Sequence, residues 1–177
     1  MMTLEDKLQI VLATTYTFAL EVQRYHWDVM GTDFHAYHEF YQKIYEELED
    51  AIDDIGEQIR SRGEHPVATL SGMLFHSNIT EEEAVYTIPH AQINKLEEDN
   101  TILVAAIRDG IRKAKEVGAD DVEDFLVERL RAHRQHGWMI SAHVAAIRDG
   151  IRKAKEVGAD DVEDFLVERL RAHRQHG

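Results

Sequence analysis

Apolar residues recur at helical spacing along almost the whole chain, and four long stripes stand out. The first runs Leu4, Leu8, Val11, Leu12, Thr15, Phe18, Ala19, Val22, His26 and Val29. Thr3 and Asp6 in front of it form a capping-box signal, and Gly31 is a stop. The second follows Thr32 or Asp33 through Phe34, Tyr37, Tyr41, Ile44, Leu48, Ile52, Ile55 and Ile59, ending at Gly63. Residues 64–88 contain Pro66, Gly72 and Ser77-Asn78, and read as a crossover with one short helix near 69–76. Pro89 suits a helix start, and the third stripe is Ile93, Leu96, Leu103, Ala106, Ile107, Ile111 and Ala114 before Gly118. Asp120 or Asp121 is expected to cap the fourth, which carries Val122, Leu126, Leu130, His133, Gly137 and Ile140. Trp138 and Met139 are expected to pack. The fold class is therefore all-α: a four-helix bundle in which a long crossover joins two helical pairs.

An internal repeat modifies this picture. Residues 104–137 recur letter for letter at 144–177, a period of 40. Two copies are too few for a solenoid. The domain reading is a bundle over 1–143 with a duplicated helical appendix over 144–177. The appendix carries the stripe on through Val144, Ile147 and Ile151, so helix four should continue to about Glu156. Gly158 would stop it, and a further helix would run from Asp160 or Asp161 to about His173.

The chain has 177 residues and a formal net charge of -14. The copy is neutral, so the body carries the whole imbalance, 13 basic against 27 acidic residues. That surface disfavours bulk electrostatic attraction to nucleic acid and favours cations. Zero Cys excludes disulfide scaffolds and thiol chemistry. No apolar run reaches membrane-span length, and the first residues do not read as a signal peptide, so a cytoplasmic location is expected.

Candidate chemistry lies within residues 26–59. His26 and His38 stand about 7 and 10 Å from Gly31 along their helices, so an antiparallel hairpin brings the imidazoles to similar height. Asp53 and Glu57 share one face at i, i+4. Asp53 is 15 residues past His38, about 22 Å along the same helix. One chain cannot bring all four together, whereas two chains packed across a two-fold axis can. Imidazole with carboxylate suits iron or zinc better than calcium. No His has an acid three residues before it, which disfavours the usual di-iron site inside a bundle.

The run from His26-Trp27 through Phe34 to His38, followed by IYEELEDAIDDIGEQI, resembles the Dps family (DNA-binding proteins from starved cells), the miniferritins. The crossover PVATLSGMLFHSNI and the segment from His133 to Met139 share the likeness, which spans about residues 4–143. The resemblance implies a ferritin-like fold and a homo-oligomeric, dodecameric shell. It implies an enzyme, a ferroxidase, that oxidises Fe(II), preferentially with hydrogen peroxide, and stores Fe(III) as protection against oxidative damage. His26 and His38 then correspond to the imidazole ligands, Asp53 and Glu57 to the neighbour's carboxylates, and Trp27 to the tryptophan beside the site. Gln42 stands where the family usually has Asp. Asp120, Asp121 and Asp124 correspond to acids that line entry channels. DNA is a possible partner by resemblance, yet the first seven residues offer one Lys and two acids, so DNA binding is not expected. The alternative reading is a non-catalytic helical shell or DNA-compacting protein whose metal site has decayed at Gln42.

Overall fold

The computed structural model describes residues 2–156, with the side chains of 154–156 left aside. The described residues form five helices, in order α1 Leu4–Asp28, α2 Phe34–Ser61, α3 Leu70–His76, α4 Pro89–Val117 and α5 Asp120–Glu156. Helices α1 and α2 form one antiparallel hairpin and α4 and α5 another, and α4 packs against α1 to join them. Helix α2 touches α5 only sparingly, leaving a groove between them. None of the described helices is long and apolar enough to cross a membrane.

Local chemistry explains the boundaries. Thr3 and Asp6 cap α1 reciprocally: the Thr3 N–H donates to Asp6 Oδ2 at 2.8 Å and the Asp6 N–H to Thr3 Oγ1 at 3.1 Å. Gly118 ends α4 with φ +71°, a conformation costly for any residue with a Cβ. Helix α5 begins at Asp120, directly after Ala119. Asp120 and Asp121 are thus residues of the first turn rather than caps, where their charge still opposes the helix dipole. The crossover is pinned to α1 by Gln9, whose amide donates to the His65 carbonyl and accepts from the Val67 N–H, both at 2.8 Å.

The core is the expected set of stripes, with Leu8, Phe18, Ile44, Leu48, Ile55, Ile93, Leu103 and Leu126 fully buried. Gly137 lies in the α5 stripe because a Cβ there would stand 2.9 Å from Asn100 Nδ2 on α4. Trp138 does not pack into the core of the described residues. It is 69% exposed, because His136 and Ile140 occupy the inner face on either side of it. Across the seam α5 continues unbroken to Glu156, and Val144 is buried while Ile147 and Ile151 are half-buried. Gly158 and the helix expected from Asp160 to His173 lie outside the described residues.

Polar side chains also reach the core. Glu21, Gln92, Asp99, Asn100, His133 and His136 are all buried. Each burial needs a partner, and most have one. Asp99 takes both its oxygens to Lys95 Nζ, at 2.6 and 2.7 Å. Tyr41 donates to Gln92 at 3.1 Å, and Tyr25 to Glu21 at 2.8 Å.

Candidate metal centre

His26 sits in the last turn of α1 and His38 in the second turn of α2, on either side of the turn at 29–33. The two are locked reciprocally. His26 Nδ1 is 2.9 Å from the His38 carbonyl, and His38 Nδ1 is 2.8 Å from the His26 carbonyl. A carbonyl can only accept, so each Nδ1 carries its proton and donates. That fixes the tautomer and leaves the Nε2 lone pair of both rings available to a metal.

The rings stack with centroids 3.6 Å apart and planes 23° from parallel. Phe34 continues the stack on His38 at 4.8 Å, and Tyr45 meets His26 edge-on at 5.3 Å. Sequence reasoning passed over Phe34 and Tyr45 as site residues. The available signal was their spacing, four residues before and seven after His38, which places all three on one face of α2.

Gln42 lies one turn beyond His38, and its amide donates to Glu46 Oε1 at 2.7 Å. The amide is thus already committed, and Glu46 is a carboxylate in this neighbourhood that the sequence reading did not single out. Trp27 follows His26 but is 65% exposed, directed away from the core.

Asp53 and Glu57 are both exposed on α2. They line a groove of about 460 Å³ with Tyr16, Arg60, Val67 and Met73. Among the described residues no three His, Asp or Glu side chains converge as a metal-holding group. The geometry therefore presents two half-sites, an imidazole pair and a carboxylate pair, well apart on one chain. Leu70, Leu74 and Phe75 of α3 and Trp27 add large exposed apolar side chains to the surface. Asp120, Asp121 and Asp124 are exposed at the start of α5.

A ferritin-like domain family matches residues 5–148. The chain belongs to the ferritin-like family. Its relatives and structural neighbours include Dps proteins. It is 28% identical over 137 residues to the DNA protection during starvation protein of Helicobacter pylori, covering 77% of this chain and 95% of that one. It is 27% identical over 125 residues to general stress protein 20U of Bacillus subtilis, covering 71% and 86%. Among solved structures, the Dps protein of Vibrio cholerae superposes with a TM-score of 0.76 at 26% identity, covering 80% of this chain and 88% of that one. That structure is described as a member of a broad superfamily of ferritin-like diiron-carboxylate proteins. The all-α, ferritin-like fold expected of a Dps-type chain is the fold observed.

Proposed function

We propose that this chain oxidises Fe(II) with hydrogen peroxide and stores the Fe(III) inside a homo-oligomeric, dodecameric shell. The observation that carries the reading is the reciprocal His26–His38 lock, which leaves two Nε2 lone pairs held in place by backbone carbonyls. Burial alone asks each Nδ1–H for a partner, and the reciprocal form also aims both free nitrogens, which metal-binding imidazoles require. The His38 ring, flanked by Phe34 and His26, loses little further freedom on binding.

In this proposal the imidazole pair of one subunit and Asp53 with Glu57 of a two-fold neighbour enclose the iron substrate. Nitrogen and carboxylate oxygen together suit ferrous and ferric iron. Two Fe(II) each give one electron, the peroxide O–O bond breaks, and both oxygens leave as water or hydroxide. The protein's part is to hold the metal, to supply negative charge that favours the ferric state, and to limit access. Gln42, neutral and bonded to Glu46, contributes no charge of its own, so one of two iron positions binds more weakly than an Asp would allow. Asp120, Asp121 and Asp124 are assigned to an acidic entry channel between subunits. DNA is left out of the proposal, since Lys7, the lysine near the amino terminus, lies 3.6 Å from Asp109 on α4.

The test is peroxide-driven iron oxidation, followed by ferric absorbance, in the assembled protein and in His38→Ala. Loss of most of the fast phase with the shell intact supports the reading. Wild-type rates in that variant would overturn it.

A further inference from the structure

The exact repeat sets one stretch of sequence in two environments. Residues 104–116 form the second half of α4, and their copies, 144–156, form the end of α5. Contacts within the helix are shared: Arg112 pairs with Asp109, and Arg152 with Asp149 at 2.6 Å. Contacts with other helices differ. Ala106, Ile107 and Gly110 are buried, whereas Ala146 and Gly150 are exposed and Ile147 is half-buried. Val144, by contrast, is buried where Val104 is only half-buried. The extension thus meets the bundle along its Val144 edge. The face of Ala146, Ile147 and Gly150 is left open, with Gly150 about 120° around the helix from Val144.

On α4 two side chains cover this face. A Cβ at Gly110 would stand 2.8 Å from Leu126 Cδ1 and 3.9 Å from Val11 Cγ2. Val11 belongs to α1, which the repeat does not include. Leu126 belongs to the repeat, and its counterpart is Leu166, outside the described residues. At Gly150 no described atom comes within 4 Å of the same position. We propose that residues 160–177 dock through Leu166 on the Ala146–Ile147–Gly150 face of their own chain. The contact that α5 makes with α4 is then repeated outside the bundle.

The fit has a precedent in the same molecule, because both partners are sequences that already pack together as α4 and α5. The connection has one too. Helix α4 reaches α5 through Gly118 and Ala119 alone, with Gly118 at φ +71°, and Gly158-Ala159 repeats that pair. So short a link keeps Leu166 at high local concentration beside Ile147, and the same segment of a neighbouring chain competes poorly. Docking displaces nothing, since the bundle uses the Val144 edge instead. With no counterpart of Val11, the second hairpin is covered on one side only and is held less firmly than the first.

The chain has no cysteine, so an introduced pair reports a single contact. The atom nearest Gly110 is the tip of a flexible side chain, so a Cβ at Gly150 is accommodated when Leu166 turns aside. In the full chain, Gly150→Cys with Leu166→Cys brings two thiols within disulfide reach if the segment docks as proposed. Mild oxidation and non-reducing denaturing electrophoresis should then show a faster-moving monomer with both thiols consumed. The control G150C/D164C should stay reduced, because Asp164 copies the exposed Asp124 and lies about 200° around the helix from Leu166. Absence of the link, an equal link in the control, or a covalent dimer as the main product would each overturn the proposal, the last by naming a second chain as the occupant. Hydrogen exchange checks it without cysteines. Leu166→Asp should speed exchange over 146–153 at least tenfold, followed in peptides that retain the unrepeated residues 138–143. Unchanged exchange there would equally overturn it.

Discussion

Asn100 and His133 clamp α4 to α5 through two bonds. The Asn100 amide donates to the His133 carbonyl at 3.1 Å, and His133 Nδ1 donates to Asn100 Oδ1 at 3.0 Å. His133 Nε2 then faces Arg129 Nη2 at 3.4 Å, and Phe18 from α1 covers the ring. Burial first, then the neighbouring His136 and Arg129, holds His133 well below its usual range, so the imidazole is neutral. Replacing Asn100 with Ala strands the His133 Nδ1–H in the core, while the carbonyl keeps its helical partner, and should cost about 1–3 kcal/mol, read as a lower denaturation midpoint.

Two glycine substitutions should act in opposite directions. Gly137→Ala places a methyl 2.9 Å from the clamped Asn100 amide and should lower stability despite the helix-propensity gain. Gly150→Ala, on the extension of α5 with nothing within 4 Å, should raise local helix stability by about 0.5–1 kcal/mol. Thermal melts compare the first, and hydrogen exchange along α5 the second.

The four stripes that carry the fold are plain in the sequence, and so are the Thr3 cap, the short crossover helix near 69–76 and the run of α5 to Glu156, whereas the Thr69 cap of the crossover helix is seen only in the structure. What could not be read was the polar interior. Glu21, Asp99 and Asn100 interrupt apolar periodicity and look like surface residues until their partners on another helix are known. Lys95 makes sense only beside Asp99 and Glu21, and their mutual placement comes from tertiary packing. The same holds at the candidate centre. Spacing brought His26 and His38 to one height, but their exchange of carbonyls depends on the conformation of the turn between them. Trp138, expected to pack, stands on the outward face of α5, between the buried His136 and Ile140.

Stability should peak near pH 6–6.5. Glu21 has a folded pKa of about 8 against an ordinary 4.5, so its contribution is complete below 4.5 and declines as pH rises toward 8. His133 and His136, both pushed down mainly by burial, contribute above 6.5 and lose that contribution as pH falls. Each proton is worth about 1.4 kcal/mol per pH unit. Melting temperature against pH should therefore fall on both sides, and Glu21→Gln should flatten the alkaline side and steepen the acid side between about pH 4.5 and 6.5. A monotonic curve in the wild type would contradict these assignments.

At the candidate centre, Gln42→Asp should tighten iron binding, since a carboxylate one turn from His38 replaces an amide held by Glu46. An unchanged iron titration would place residue 42 outside the metal's reach. Asp53→Asn should slow peroxide-driven oxidation at least tenfold while light scattering reports the same particle.

A chain truncated after His143 should still fold, assemble and oxidise iron. The bundle contacts of α5 centre on Val122, Leu126, His133 and Ile140, all before the cut. Loss of buried Val144 should lower the melting temperature by a few degrees. Failure to assemble would make the duplicated segment part of the shell.

The two bonds that join His26 and His38 close the α1–α2 hairpin and prepare the imidazoles at once. Folding of this turn and the orientation of the two imidazoles are therefore one event. A chain whose first hairpin has opened loses the orientation of both rings together. Under the proposed function, such a copy would be expected to take up no iron, so that loading would double as an inspection of the fold.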